Sequence, residues 1–271
     1  MKRIKSRTEL KELLDLVEGK KKLSNCYLFF DDLASIVDQS CLYYKVLGNN
    51  LFLFKDRLGG QFFEMHYFIC DEHYLLDVEH TAPLVIEIPY RGKLKYPKTE
   101  VDILVQSGFS VHINRDLMIL NKPNFNEKKI VIDNCHVKLL EEIEYALLVT
   151  AKIKKTFDFF TGDIVSLEDV QKSIVNKEVL AIYSRNSLAG FLRFYVKNKV
   201  SWIGHIVVFD EFAGSGLGKL LVQEYLKHQM DKAIQSFHHW VVSENIAAHK
   251  LYEYFGFTKM NKSSISLIKN N

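Results

Sequence analysis

No stretch of this 271-residue chain reaches ~18 uninterrupted apolar residues, so the sequence offers no membrane-spanning helix. Cysteine is scarce. Cys26, Cys41, Cys70 and Cys135 are scattered without a Cys-x-x-Cys pair, which argues against a disulfide framework and fits reduced thiols in a cytoplasm. The net charge of +3 is small, and no lysine or arginine stripe carries interleaved aromatics, so nucleic acid is not an expected partner. Lys2, Arg3, Lys5 and Arg7 lead straight into an amphipathic pattern, without the apolar core of a signal peptide. His66, Cys70 and His73 have loosely ligand-like spacing but no fourth ligand nearby. His238 and His239 are adjacent in a strand pattern and point to opposite faces, so no metal is expected. What remains is an ordinary globular composition, 48% hydrophobic and 25% charged, in a chain long enough for one large domain or two small ones. The expectation is a soluble cytoplasmic protein with no membrane or nucleic-acid partner.

With four prolines, the elements are punctuated mainly by glycine and polar turns. Ser6 and Glu9 form a capping-box pattern ahead of Leu10, Leu13, Leu14 and Val17, and a second helix carries Leu33, Ile36 and Val37. The period then shortens. Leu51 to Phe54, Phe62 to Cys70, Tyr74 to Val78 and Leu84 to Ile88 read as an antiparallel meander. Thr99 is a candidate cap for a helix that stops at Gly108, followed by a strand from Ser110 to Leu120. Asn121 to Asn126, polar and containing a proline, reads as a linker. The expected domains are therefore residues 1–122 and 128–271. The second would hold a long helix from about Leu139 to Phe160, ended by Gly162, and a short helix capped by Ser166 and Asp169. Strands then run Val179 to Ser184, Leu188 to Val196 and Val200 to Phe209. A glycine loop, a helix from Leu217 to about Gln229, a strand at Phe237 to Ser243, a helix at Asn245 to Phe255 and a strand from Phe257 follow.

The most informative stretch is Ile206-Val-Val-Phe-Asp-Glu-Phe-Ala-Gly-Ser-Gly-Leu-Gly-Lys219. An apolar strand stops at Asp210 and Glu211, passes Gly214, Gly216 and Gly218, and enters a helix. Glycines permit a tight turn and close approach of a ligand, while the helix start offers unpaired N–H groups and a positive dipole end. Strand, glycine loop and helix N-terminus together suit an anion, usually a phosphate. The loop lacks the Gly-Lys-Ser/Thr ending of a P-loop and does not follow a parallel βαβ start, so a nucleotide-binding reading is weak.

A second motif lies about 30 residues on: Ser-Glu-Asn245-Ile-Ala-Ala-His-Lys-Leu-Tyr252-Glu-Tyr-Phe-Gly256-Phe257. Together, and in this order, the two motifs resemble the GNAT acyltransferase superfamily over roughly residues 130 to 271. The resemblance implies an α/β fold with a mixed sheet and an N-acyltransferase that moves an acetyl group from acetyl-CoA to an amine by direct attack, without metal. By position it implies that the backbone of Gly214, Ser215, Gly216, Leu217, Gly218 and Lys219 binds the pyrophosphate. Ile206, Val207 and Val208 would pair with the pantetheine arm, an N–H near Val208 polarising the thioester carbonyl. Tyr252 falls where the family has the acid that protonates the departing thiolate, and Asn245 caps the last helix near the cofactor. Tyr254, two positions on, points elsewhere. His205 is a candidate base, but its strand parity is opposite to the one the family uses unless a β-bulge intervenes; a water relay is the alternative. Two residues depart from the pattern: Ala213 stands where the family has Arg or Gln, and Asp210 replaces proline, adding negative charge with Glu211.

Residues 1–122 form an α/β unit. One reading makes it a degenerate copy of the same fold, giving a tandem GNAT, since Val85-Ile-Glu-Ile-Pro-Tyr-Arg-Gly92 echoes the family's pre-loop run. On that reading Leu104 stands opposite Tyr252 and the chemistry is lost. Other readings make it a wall of the acceptor pocket or a homodimer surface. The acceptor amine, small molecule or protein, is not legible. The rival to an enzyme is a non-catalytic module that binds CoA or a partner.

Overall fold

The computed structural model describes residues 1–71, 80–92, 95–121, 129–230 and 232–270. The expected strand at Tyr74 to Val78, His73, and all but the first residue of the expected linker lie outside the described residues. The chain forms two compact units, Met1–Asn114 with Lys262–Asn271, and Arg115–Asn261. The division therefore differs from the boundary expected at 122–128, because each unit's sheet is closed by a strand from a distant part of the sequence.

In the first unit, β1 (Lys2–Arg3), α1 (Arg7–Asp15), β2 (Leu23–Ser24) and α2 (Phe30–Asp38) precede β3 (Leu42–Leu47), β4 (Asn50–Arg57) and β5 (Phe62–Ile69). β6 (Leu84–Tyr90) and α3 (Lys98–Gln106) follow. Ser6 caps α1, its side chain accepting from the Glu9 N–H, while the Glu9 carboxylate takes the Lys5 N–H. Residues 50 to 54 are all buried because helices cover both faces of β4. Leu51 and Leu53 meet α1 and α2, whereas Phe52 and Phe54 lie in the cluster that holds Val101 and Leu104 of α3.

Three expectations for this unit are revised. β5 and β6 are parallel, pairing Phe63 with Leu84 and Glu64 with Val85, so the strands are not a meander throughout. α3 begins after Pro97, with Thr99 inside its first turn. β6 is the second strand of the parallel pair, not the strand that enters the crossing between them, so Val85 to Gly92 is not the counterpart of the pre-loop run.

The second unit contains β8 (Cys135–Leu139), α4 (Ala146–Thr156), α5 (Leu167–Val175), β9 (Val179–Ser184), β10 (Ser187–Lys197) and β11 (Val200–Val208). α6 (Leu217–Met230), β12 (Ser236–Val242) and α7 (Ile246–Tyr254) follow. The long helix expected from Leu139 is shorter, because Cys135–Leu139 pairs with β9 and α4 starts only at Ala146. Ser166 and Asp169 form the capping box of α5. α6 and α7 pack into one cluster through Leu217, Leu220, Tyr225, Tyr252 and Phe255 against Ile203, Phe237 and Val241.

Both units run the same sheet order, β3-β4-β5-β6 and β9-β10-β11-β12, with the last pair of each parallel. The next strand is exchanged. β7 (Ser110–Asn121) lends residues 115–121 to β12, and β13 (Thr258–Lys269) lends residues 263–269 to β6.

A bulge in β11 sets which side chains face the site. Arg193 lies opposite His205 and Phe194 opposite Ile203, leaving Gly204 as the extra residue. Arg193 and Phe194 point to opposite faces, so Ile203 and His205 do too. Ile203 joins the α6–α7 cluster, while His205 meets Phe157 just beyond α4. At Gly190 a Cβ would stand 2.4 Å from the Val207 carbonyl oxygen, so β10 and β11 need glycine there. Gly190→Ala should lower unfolding stability by about 1–3 kcal/mol in urea titrations, the range for overpacked sites.

Candidate active site

The Phe209 N–H donates to the Ala189 carbonyl of β10 at 2.9 Å. Alternate residues of a strand address the same edge, so Val207 also faces β10, while Ile206 and Val208 turn N–H and C=O to the opposite edge. β12 covers that opposite edge only at Val200, Ser201 and Trp202. The strands then part. The Ile203 carbonyl accepts Nδ1–H of His239 at 2.7 Å, a side-chain tie where main-chain pairing stops. Beyond it, among the described residues, Gly204 to Val208 have no strand partner on this edge. An extended ligand with amide groups could complete it.

The edge leads into the glycine loop. Asp210–Phe212 makes one 3₁₀ turn, then Gly214 and Gly216 adopt φ of 74° and 83°, which side chains disfavour. A Cβ on Gly214 would meet nothing within 4 Å, and one on Gly218 only Leu251 and Val208 at 3.8 Å. At Gly214 glycine is thus required by conformation, not by crowding from the protein, while Gly218, within α6, is under neither demand. The Lys219 and Leu220 N–H groups close onto the Gly216 carbonyl. Among the described residues, those of Gly216, Leu217 and Gly218 have no backbone carbonyl partner, as expected for the first turn of α6. This is an anion-binding geometry.

The side chains around the loop are largely committed elsewhere. The Ser215 hydroxyl donates to the Phe212 carbonyl. Lys219 Nζ lies 4.4 Å from the Tyr254 ring centroid, a cation–π contact that gives Tyr254 its own role on α7. Asp210 is paired with Lys155 at 2.7 Å, which lowers the carboxyl and raises the ammonium, so its charge is countered before any anion arrives. Ala213 contributes no polar side chain, and the loop relies on its backbone.

α7 brings two of the expected residues to this region. Asn245 is its N-cap, Oδ1 accepting from the Ala248 N–H at 2.9 Å. Tyr252 is wholly buried, its ring 4.7 Å from that of His239 and 5.4 Å from Phe257. Among the described residues its hydroxyl has no hydrogen-bond partner. Burial raises the phenol well above its ordinary value, so it stays protonated at neutral pH.

His205 is also fully buried, with Nε2 at 3.0 Å from the Gly162 carbonyl. A carbonyl only accepts, so Nε2 carries the proton and Nδ1 presents a lone pair, which has no hydrogen-bond partner among the described residues. Burial lowers its pKa. The bulge at Gly204 supplies the parity change that the sequence left open. Gly162 is not the helix stop expected from sequence, since α4 ends at Thr156; it holds the tautomer of His205, and a Cβ there would lie 2.5 Å from the Asp158 carbonyl oxygen. His239 was weighed in the sequence only as a metal ligand. Its tie to Ile203 has no sequence signal, because it depends on which strands pair.

The motif order and this geometry agree with comparisons to known proteins. A sequence model of the Acetyltransferase (GNAT) family matches residues 153–257. Residues 153–257 are a GNAT acetyltransferase domain. Among solved structures, the chain is similar to a GCN5-related N-acetyltransferase from Sphaerobacter thermophilus, with 11% identity, TM-score 0.62, and 82% of this chain and 76% of that one covered. It is similar to a tandem GNAT protein from the clavulanic acid biosynthesis pathway, at 11% identity and TM-score 0.60 over 99% of this chain and 97% of that one. A Drosophila protein matches at 17% identity and TM-score 0.59, over 98% and 97% of the two chains. No curated protein sequence matches. The fold of the whole chain is therefore the tandem GNAT fold, and the GNAT domain carries the motifs.

Burial brings His239 down to about 4 and lowers His205 as well. Unfolding returns both to ordinary values near 6.5, so the unfolded chain binds more protons below that pH and stability falls on acidification. His239 alone should account for a loss of about 3 kcal/mol between pH 6.5 and 4. Denaturation curves across this range should show the fall, with a shallower slope in His239→Asn.

Proposed function

We propose that the GNAT domain transfers the acetyl group of acetyl-CoA to an amine by direct attack. The observation that carries this is the bare edge of β11, from Gly204 to Val208, running straight into the glycine loop and the start of α6. The pantetheine amides would complete the edge as an added strand, and the pyrophosphate would accept from the N–H groups of Gly216, Leu217 and Gly218. Gly214, Ser215 and Lys219 frame this cradle and Ile206 lies on its approach, whereas Val207, expected to pair with the arm, turns its backbone to β10. The outward N–H of Val208 would polarise the thioester carbonyl as negative charge builds on it.

In this reading the attacking amine adds to the thioester carbon, and the C–S bond then breaks. The thiolate takes the proton of Tyr252, whose hydroxyl is unpartnered and whose raised pKa keeps it protonated. The amine's proton passes to His205 Nδ1, the acceptor left free by the Gly162 contact. Asn245 holds the start of α7 and so the placement of Tyr252. The acceptor is an amine, on a small molecule or a protein.

The second reading is a domain that binds CoA without turning it over, favoured by Ala213 in place of a polar anchor and by the complete burial of Tyr252. Two experiments separate the readings. Acetyl-CoA at about 100 times its Kd should stabilise the protein by about 2.7 kcal/mol, a clear rise in Tm; no rise at millimolar cofactor would sink both readings. Tyr252→Phe should retain that shift and lose ~10²- to 10⁴-fold in kcat, scored by CoA release across a panel of amines. A wild-type protein that shows the shift but releases no CoA with any amine would favour the binding module.

A further inference from the structure

The first unit repeats the parting of parallel strands, and there the gap is filled. β4 occupies one edge of β5. On the other edge β6 pairs only at Phe63 and Glu64, as β12 pairs only at the start of β11. The rest of that edge is taken by the chain itself. The Lys22 N–H donates to the Ile69 carbonyl at 2.7 Å, and β2 pairs Leu23 with Ile69 and Ser24 with Phe68. Asn25 then laces the two parted strands. Its Oδ1 accepts the Tyr67 N–H at 2.8 Å, and its Nδ2 donates to the carbonyls of Met65 on β5 at 3.0 Å and Glu87 on β6 at 3.2 Å. It is 2% exposed.

We infer that Lys22–Cys26 is a built-in substitute for the pantetheine arm, standing in the first unit's cleft, so that each chain takes one acyl-CoA and not two. The segment meets the same main-chain demands that an extended amide ligand would meet in the second unit; this comparison rests on the acyl-CoA reading above. Chain length points the same way. Only 14 residues separate Ile69 from Leu84, against 27 between Val208 and Ser236, which hold the glycine loop and the 14-residue α6. The first unit cannot fit both a phosphate loop and a helix of that length. Its cleft has been closed from within instead of being left with unpaired buried amides, which are costly.

Hydrogen exchange with and without saturating acetyl-CoA, together with native mass spectrometry, tests the assignment. The expected result is one cofactor per chain, with protection gained at residues 204–219 and exchange at 22–27 and 65–69 unchanged. A second bound cofactor, or altered exchange at 22–27, would overturn it. If the cofactor changes nothing anywhere, the acyl-CoA reading fails and the plug is decided by its own amides. Slow exchange of Lys22 and Tyr67 in the wild type, faster by ~10-fold or more in Asn25→Ala, supports it. Equally fast exchange in both proteins overturns it. Should Asn25→Ala not fold, Asn25→Asp keeps the acceptor for Tyr67 and removes only the two Nδ2 bonds, and Met65 and Glu87 become the places to look for change.

Discussion

Backbone hydrogen bonding that a parallel strand pair leaves unfinished is the constraint on which both units turn. Buried N–H and C=O groups need partners, and two strands that diverge after two or three pairs strand a row of them. The second unit leaves Gly204 to Val208 open beside a loop that presents further N–H groups. The first unit satisfies the equivalent edge with Lys22–Asn25. One architecture thus gives an open cleft and a self-filled one, and the difference lies in the segment Lys22–Asn25 and in the length of the connection between the parallel strands.

Around the open cleft, side chains hold the parting in place. His239 spans it through the Ile203 carbonyl and packs on Tyr252, so the width of the gap and the position of the phenol share one support. The bulge at Gly204 turns His205 away from the α6–α7 cluster, and the Gly162 carbonyl fixes its tautomer. Lys155 counters Asp210 at the mouth of the loop. These are contacts between elements distant in sequence, and each changes the meaning of a residue that looked ambiguous or unfavourable alone.

Much of the second unit was legible because its signals are local. Apolar runs separated by the turns at Arg185–Ser187 and Lys197–Lys199 gave β9, β10 and β11, Ser166 with Asp169 gave the cap of α5, and the glycines gave the turn into α6. β8 was missed because Leu139 and Leu140 continue an apolar pattern that suits a helix as well as a strand. In the first unit β3 and β2 were missed for a related reason: β2 has two residues, and its pairing is decided by the gap it fills. The parallel sense of β5 and β6 has no sequence mark at all.

The sequence by itself determined the two motifs, their order and hence the family of residues 153–257, because glycines with positive φ and an asparagine cap are demanded by backbone geometry within a few residues. It also determined which residue types stand at the loop and on α7. Tertiary structure alone decided that residues 115–121 and 263–269 close sheets other than those their order suggests, that His205 faces α4 through a bulge, and that the Tyr252 hydroxyl is buried without a partner. Strand pairing, register and burial join residues more than a hundred positions apart, and no local pattern carries that information.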